Sequence, residues 1–130
     1  MILTPEPLAA VLAGQKTIES RFATDRRLPW GRVGPGDRLW LKQSGGRVVA
    51  VAEAAWVQFY ADLTPAAVAE LFRQYPAIRA GLAYQAAKAS ARFGSLIGLN
   101  NIRRLDPFAL RGRGRSGWRL LEGPPIPLRD

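Results

Sequence analysis

One stretch of eight residues decides how this chain is organised, and it reads Gly14-Gln15-Lys16-Thr17-Ile18-Glu19-Ser20-Arg21. Gly14 is a natural end for a helix, because glycine readily takes the left-handed conformation found there. The residues that follow, Gln15–Phe22, predict a strand. In a regular strand Glu19 and Arg21 point to one face and Lys16 to the other, although the backbone beside Gly14 need not be regular. Spacing alone favours a solvated edge with a Glu19–Arg21 ion pair; the alternative is a functional cluster.

The residues on both sides of this stretch predict the remaining elements. Upstream, Thr4, Pro5 and Glu6 form a helix start with a hydroxyl cap, a proline in the first turn and an acid at the positive end of the dipole. This start predicts a helix over Pro5–Ala13. Further along, alternation, turn residues and caps predict a loop over Asp25–Pro35, strands over Arg38–Gln43 and Arg47–Tyr60 joined at Gly45-Gly46, and a helix from Thr64-Pro65 to Pro76. A second helix over Ile78–Ala91, strands over Phe93–Leu105 and Trp118–Leu121, and a proline-rich tail over residues 123–130 complete the prediction.

This order of elements predicts the fold class. A helix, strands, a two-helix insertion and further strands are typical of an α+β fold around a small, mostly antiparallel sheet. We expect that sheet to curl into a small β-barrel. The sequence contains no internal repeat and no linker, so residues 1–130 are expected to form one domain.

Composition excludes several kinds of chemistry. The chain has 130 residues and neither cysteine nor histidine. Disulfide partners, thiolate or histidine metal sites and catalysis by Ser-His or Cys-His pairs are therefore excluded, and neither a metal nor another cofactor is expected. An apolar run at Leu8–Ala13 lacks the basic residues of a signal peptide, and no run is long enough to span a membrane. We expect a cytoplasmic protein without a membrane partner.

Positive charge is concentrated in one half of the sequence. The net charge is +9, yet Met1–Glu70 carries eight basic and seven acidic residues while Leu71–Arg119 carries ten basic residues and one acid. A one-sided excess of this kind attracts polyanions. Aromatic rings are candidates for stacking an unpaired base, and Trp30, in an arginine-rich loop, is the favoured one. The arginines predicted to contact phosphate are Arg103, Arg104, Arg111, Arg113 and Arg115.

The central stretch resembles the signature of the ASCH domain family (activating signal cointegrator homology), which belongs to the PUA-like superfamily. The matching pattern is Gly-x-Lys-Thr-x-Glu-x-Arg directly after an N-terminal helix. Three weaker features follow in the family's order: a Gly-Asp turn and strand at Gly36–Leu41, a helical insertion before the strand segment Ser95–Leu99, and the ending Gly117–Leu121. The resemblance covers nearly the whole chain.

The resemblance implies a PUA-like barrel with a cleft beside the first motif, lined by Lys16, Glu19 and Arg21, and related domains bind RNA or modified bases. Lys16 or Arg21 would hold a phosphate or a base carbonyl, and Glu19 would accept from an exocyclic amine. RNA or a nucleoside is therefore the expected partner. A protein-interaction module with an acidic partner is a further alternative, and the sequence leaves the oligomeric state open.

The resemblance also implies an enzymatic alternative. One branch of the family hydrolyses the acetyl amide of N4-acetylcytidine with a lysine that Lys16 matches, but Glu19 stands where that branch has a threonine. No acid occurs between Glu70 and Asp106, where the branch's distant glutamate is expected. As an enzyme, the chain would be such an amidohydrolase or a ribonuclease, with Lys16 and Glu19 as its acid–base pair.

Overall fold

The computed structural model describes residues 1–110 and 117–121. Its elements, in chain order, are β1 (Ile2–Leu3), α1 (Pro5–Leu12), β2 (Ile18–Ala23), β3 (Arg38–Gln43), β4 (Val48–Tyr60), α2 (Pro65–Gln74), a single 3₁₀ turn (Pro76–Ile78), α3 (Leu82–Ala87) and β5 (Phe93–Phe108). The α+β class is confirmed. Within the described residues, no helix is both long enough and apolar enough to cross a membrane.

The five strands form one mixed sheet in the order β1-β3-β4-β5-β2. The β1–β3 pair is parallel and the other pairs are antiparallel. Gly45, with a φ of +71°, makes the tight turn between β3 and β4. Strands β1 and β2 are the two edges, and in the described part of the chain no backbone ladder joins them. A closed barrel therefore stays a prediction.

Two hydrophobic clusters lie on opposite sides of the sheet. One packs α1 on β3, β4 and β5 and includes Val11, Leu41 and Ile97. The other packs the helical insertion on β2 and β5 and includes Phe22, Val68, Phe72 and Leu96. Adjacent residues of a strand point to opposite faces, so Leu96 and Ile97 fall in different clusters. Residues 94–99, in the first half of β5, are therefore buried on both sides, and the insertion is an integral part of the fold.

Two predicted elements need correction. The helix expected over Ile78–Ala91 is instead the 3₁₀ turn and the six-residue α3, separated at Arg79, which has a φ of +56°. A left-handed residue cannot continue a right-handed helix. The strand expected over Trp118–Leu121 is not formed. The Trp118 side chain is buried in the first cluster and stacks with Arg21, and the edge strand β1 bonds to Gly117 instead.

The short strand β1 was not predicted, because two residues carry no recognisable alternation. It pairs with the end of β3 and donates the Ile2 amide to the Gly117 carbonyl at 2.8 Å. This bond brings the segment after β5 close to β2, which positions the site described next.

Candidate functional site

Arg21 spans the gap between the two edge strands. Its Nη2 donates to the Ile2 carbonyl of β1 at 2.8 Å, and its guanidinium carbon lies 5.7 Å from the centroid of the Trp118 ring. A Cβ atom on Gly117 would come within 2.3 Å of Nη1, so glycine is needed there for the guanidinium to keep this place. Arg21 is thus held by β1, by Trp118 and, as described next, by Glu19.

Glu19 lies behind Arg21 on the same side of β2, as the strand spacing predicts. It is only 5% exposed, and its Oε1 is 3.5 Å from Nε of Arg21 and accepts the Ser20 amide at 3.1 Å. Among the described residues no donor reaches Oε2. The expected solvated edge pair is therefore a buried pair, in which the carboxylate fixes the guanidinium.

Lys16 points to the other side of the sheet. It is 7% exposed, and its Nζ donates to the carbonyl of Ile78 in the insertion at 2.5 Å. Burial lowers the pKa of Lys16, and the nearby Glu19 carboxylate partly opposes that shift. Gly14, with a φ of +74°, ends α1 so that the Lys16 amide returns to the Ala10 carbonyl. Lys16 connects the start of β2 to the insertion.

A second polar contact joins β2 to the insertion. The Ser20 hydroxyl and the Tyr84 hydroxyl are 3.4 Å apart, and Ser20 is almost fully buried. Burial raises the pKa of Tyr84. Lys88, at the end of α3, places its ammonium 5.7 Å from the Tyr84 ring centroid. The insertion therefore brings a cation to the same end of β2 where Arg21 lies.

A cleft of about 210 Å³ opens beside Arg21, and we name it the Arg21 cleft. Four segments form it: β2, the loop that follows β2, the region from the end of α3 to the start of β5, and the pair Gly117 and Trp118. Its charged and polar walls are Arg21, Asp25, Arg27, Lys88 and Ser95, and its aromatic walls are Phe22, Trp30, Phe93 and Trp118.

The charge of the cleft is positive. Of the described residues that line it, three are cations, Arg21, Arg27 and Lys88, and one is an acid, Asp25. Asp25 is already engaged, because Arg27 donates to it from Nε at 2.6 Å and from Nη2 at 3.0 Å. Those hydrogen bonds lower the pKa of Asp25. The cleft is suited to an anion, because Arg21 and Arg27 each have one carboxylate partner, Glu19 and Asp25, while no described carboxylate pairs with Lys88.

Trp30 is held rigidly in the wall of the cleft. Its indole Nε1 donates to the Tyr60 carbonyl at 2.9 Å, and its ring lies 5.8 Å from that of Phe59 and 5.5 Å from that of Phe93. The Arg26 guanidinium stacks 5.5 Å from the Trp30 ring centroid. Trp30 therefore offers a pre-organised surface, while its polar group is already used.

Three solved structures of one bacterial protein are similar to this chain. The crystal structure of ASCH from Zymomonas mobilis has a TM-score of 0.65 and 20% sequence identity, and the match covers 85% of this chain and 71% of that one. A serine-to-alanine mutant of it matches at 0.65 and 18% over 84% and 71% of the two chains. A tyrosine-to-phenylalanine mutant matches at 0.65 and 19% over 85% and 73%.

This chain has the fold of an ASCH domain. No protein-family model matches the sequence, and no curated protein does. The resemblance read from the first motif is thus confirmed at the level of the fold.

The ASCH fold brings together only part of the predicted site. Arg21 and Trp30 line the Arg21 cleft, whereas Lys16 and Glu19 are buried next to it and do not line it. Arg103 and Arg104 are exposed on the far half of β5, about 26 Å along the strand from Ser95 at some 3.3 Å per residue. Arg111, Arg113 and Arg115 lie outside the described residues.

Of the residues that line the cleft, the sequence predicted a direct role for Arg21 and Trp30. Lys88 fell within a predicted helix, Ser95 within a predicted strand and Trp118 within a predicted terminal strand, and no role in binding was predicted for Lys88 or Ser95. The Gly117-Trp118 pair, which was quoted for the resemblance, was the one local signal available. Nothing in the sequence near Lys88 or Ser95 indicates that they meet Arg21 across the sheet.

Proposed function

We propose that this ASCH-fold chain binds RNA or a modified nucleoside and that the recognised base lies in the Arg21 cleft. The observation that supports this most is the coincidence of cations and aromatic rings in one small cleft, where no described carboxylate pairs with Lys88. Proteins that recognise single-stranded RNA stack unpaired bases on aromatic rings or on arginine planes and hold phosphates with cations. In this proposal Arg21 contacts the ligand directly, while Glu19 and Lys16 hold the parts of the cleft in place.

The exposed arginines of β5 fit the same proposal as a second contact. Arg103 and Arg104 are exposed, and no described carboxylate pairs with either. Because they lie far along β5 from the cleft, one nucleotide does not reach both places, and a strand of several nucleotides does. Arg111, Arg113 and Arg115 are proposed from sequence to hold phosphates in the same way. Such contacts give affinity without sequence preference.

Salt-dependent binding of single-stranded RNA tests this function. If about five phosphates are neutralised, log K against log salt should have a slope near −3.5. The binding constant at each salt concentration is measured by fluorescence anisotropy of a labelled RNA strand of about ten nucleotides. That length is within the usual site size of single-strand-binding domains, about 4–16 nucleotides. A slope near zero contradicts the proposal.

Matched variants locate the contact. Lys88→Gln removes a half-buried cation of the cleft and should weaken binding several-fold. Arg73→Gln removes a cation from the exposed surface of α2, where Arg73 pairs with Glu70, and should leave binding within about two-fold. Equal effects of the two variants would mean that the cleft is not the site.

A hydrolase acting on RNA or on a nucleoside amide is the second candidate. The observation in its favour is the lowered pKa of Lys16, because a lysine acts as a general base only when it is deprotonated. Its amine, however, donates to Ile78 and does not line the cleft. We expect little turnover of N4-acetylcytidine. Deacetylation that disappears in Lys16→Ala would move this function to first place.

A further inference from the structure

The Arg21 cleft is rich in donors and poor in acceptors. Among its described lining residues Arg21, Arg27 and Lys88 are cations, Ser95 carries a hydroxyl, and the single carboxylate, Asp25, is bonded to Arg27 at two of its atoms. A neutral nucleoside would enter such a cleft and displace water from the Lys88 ammonium without giving it a counter-charge, which is costly. An anionic group would supply that charge.

Arg21 has donors left for such a group. A guanidinium carries five N–H donors. Nη2 is used by the Ile2 carbonyl and Nε faces Glu19, while no described residue accepts from Nη1. Nη1 lies against Gly117, in the space that a side chain there would occupy, and the Arg21 side chain is 25% exposed. An arginine fixed on one side with free donors on the other is pre-organised for an oxyanion.

Lys88 supplies the second charge from a different element. It lines the cleft from the end of α3, and its described contact is with the Tyr84 ring. Within residues 1–110 and 117–121 no carboxylate pairs with its ammonium. A lysine acts as a compact point charge for phosphate and adapts to the group that arginine has positioned.

From these contacts we infer that the Arg21 cleft takes one nucleoside monophosphate unit, with the phosphate held by Arg21 and Lys88 and the base against the aromatic walls. The cleft is smaller than the 300–1,000 Å³ or so of drug-sized sites, so it has room for one nucleotide unit at most. Ser95, 1% exposed, adds a fixed hydroxyl to the polar wall. This inference rests on the proposed function and narrows its ligand from a nucleoside to a nucleotide with a terminal phosphate.

Titration with four small probes tests the inference. Uridine, uridine 5′-monophosphate, uridine 3′-monophosphate and inorganic phosphate are added to the full chain, and binding is measured by isothermal titration calorimetry. At least one monophosphate should bind tenfold or more tightly than both uridine and phosphate. Lys88→Gln should remove most of that preference, and Arg73→Gln should retain it.

The other outcomes separate the inference from the proposed function. Equal binding of uridine and its monophosphates would overturn the inference and leave a base-binding cleft. Phosphate binding as tightly as the nucleotides would overturn it in favour of a general anion site. RNA binding without any monophosphate binding would overturn the inference, while the proposed RNA binding would survive at another part of the surface. If neither RNA nor any small probe binds, both the inference and the proposed function are wrong.

A second series identifies the source of the nucleotide. Ten-nucleotide RNAs with a 5′-phosphate, with a 3′-phosphate or with neither are compared at one salt concentration. If the cleft takes the end of an RNA, one phosphorylated form should bind at least fivefold more tightly than the unphosphorylated strand. If free mononucleotides are the ligands, the three strands should bind alike while the mononucleotide preference remains. If no phosphorylated form binds more tightly than its unphosphorylated counterpart in either series, the inference is wrong.

Discussion

Replacing Glu19 by glutamine tests how the Arg21 cleft is built. The amide keeps an oxygen for the Ser20 N–H bond but loses the charge that lies 3.5 Å from Nε of Arg21. At an effective dielectric of about 20, that separation corresponds to roughly 5 kcal/mol of attraction before desolvation is subtracted. Because the Arg21 side chain is 25% exposed and keeps some water, we expect a net loss of about 2 kcal/mol.

Urea and thermal unfolding measure that loss. About 2 kcal/mol corresponds to a fall in Tm of roughly 8 °C for a domain of this size. Glu70→Gln is the matched control, because Glu70 is paired with Arg73 on the exposed surface of α2, and its loss should cost less than about 0.5 kcal/mol. Equal, small effects of the two variants would refute the buried-pair account.

Binding by the same variant decides what Glu19 does. If Glu19 only fixes Arg21, Glu19→Gln should weaken binding of every base alike, because the carboxylate does not line the cleft. A changed base preference with an unchanged Tm would refute this reasoning and would show that Glu19 reads a base edge, as the sequence suggested.

Three further changes test the packing and the charges. Burial lowers the pKa of Lys16 from 10.5, so between the lowered value and pH 10.5 the unfolded chain binds more protons than the folded chain. The free energy of unfolding should therefore rise with pH in this range by up to about 1.4 kcal/mol per pH unit. Urea unfolding of Lys16→Met should lack this rise. Gly98→Ala should cost about 2 kcal/mol or more in the same assay, since its Cβ would lie 2.0 Å from Nε1 of Trp56, whereas Gly34→Ala meets nothing within 4 Å and should be tolerated. Arg104→Gln should weaken the binding of a ten-nucleotide RNA, measured by anisotropy, and leave mononucleotide binding unchanged. An effect on both would mean that the β5 arginines and the Arg21 cleft contact the same nucleotide.

The sequence was most informative where local signals agree. Alternation and flanking glycines placed β3 at Arg38–Gln43, the same bounds that the structure has, and the Thr-Pro start predicted α2, which begins at Pro65 with the Thr64 hydroxyl accepting the Ala67 amide at 3.2 Å. The prediction of one helix over Ile78–Ala91 was wrong, because the alanine-rich composition favours a helix along this whole range while the left-handed Arg79 interrupts it.

The candidate site was harder to predict because it is assembled from distant segments. The spacing of Glu19 and Arg21 correctly placed them on one face, but burial of the pair depends on Ile2, on Trp118 and on the insertion. Lys16 and Ile78 are 62 residues apart, and the sequence contains no sign of their bond. Motif reasoning therefore found the region and its charges, while the roles of individual residues depend on tertiary contacts.

The indole N–H signals of the four tryptophans offer the most direct test of the nucleotide-binding cleft. Trp30 and Trp118 line the Arg21 cleft, whereas Trp40 and Trp56 are not among its lining residues in the described part of the chain. Two-dimensional ¹⁵N–¹H NMR of the labelled chain, titrated with uridine monophosphate, follows all four at once. We predict saturable shifts of the Trp30 and Trp118 signals with Trp40 and Trp56 unmoved; shifts confined to Trp40 or Trp56, or no shift at all, would contradict the account.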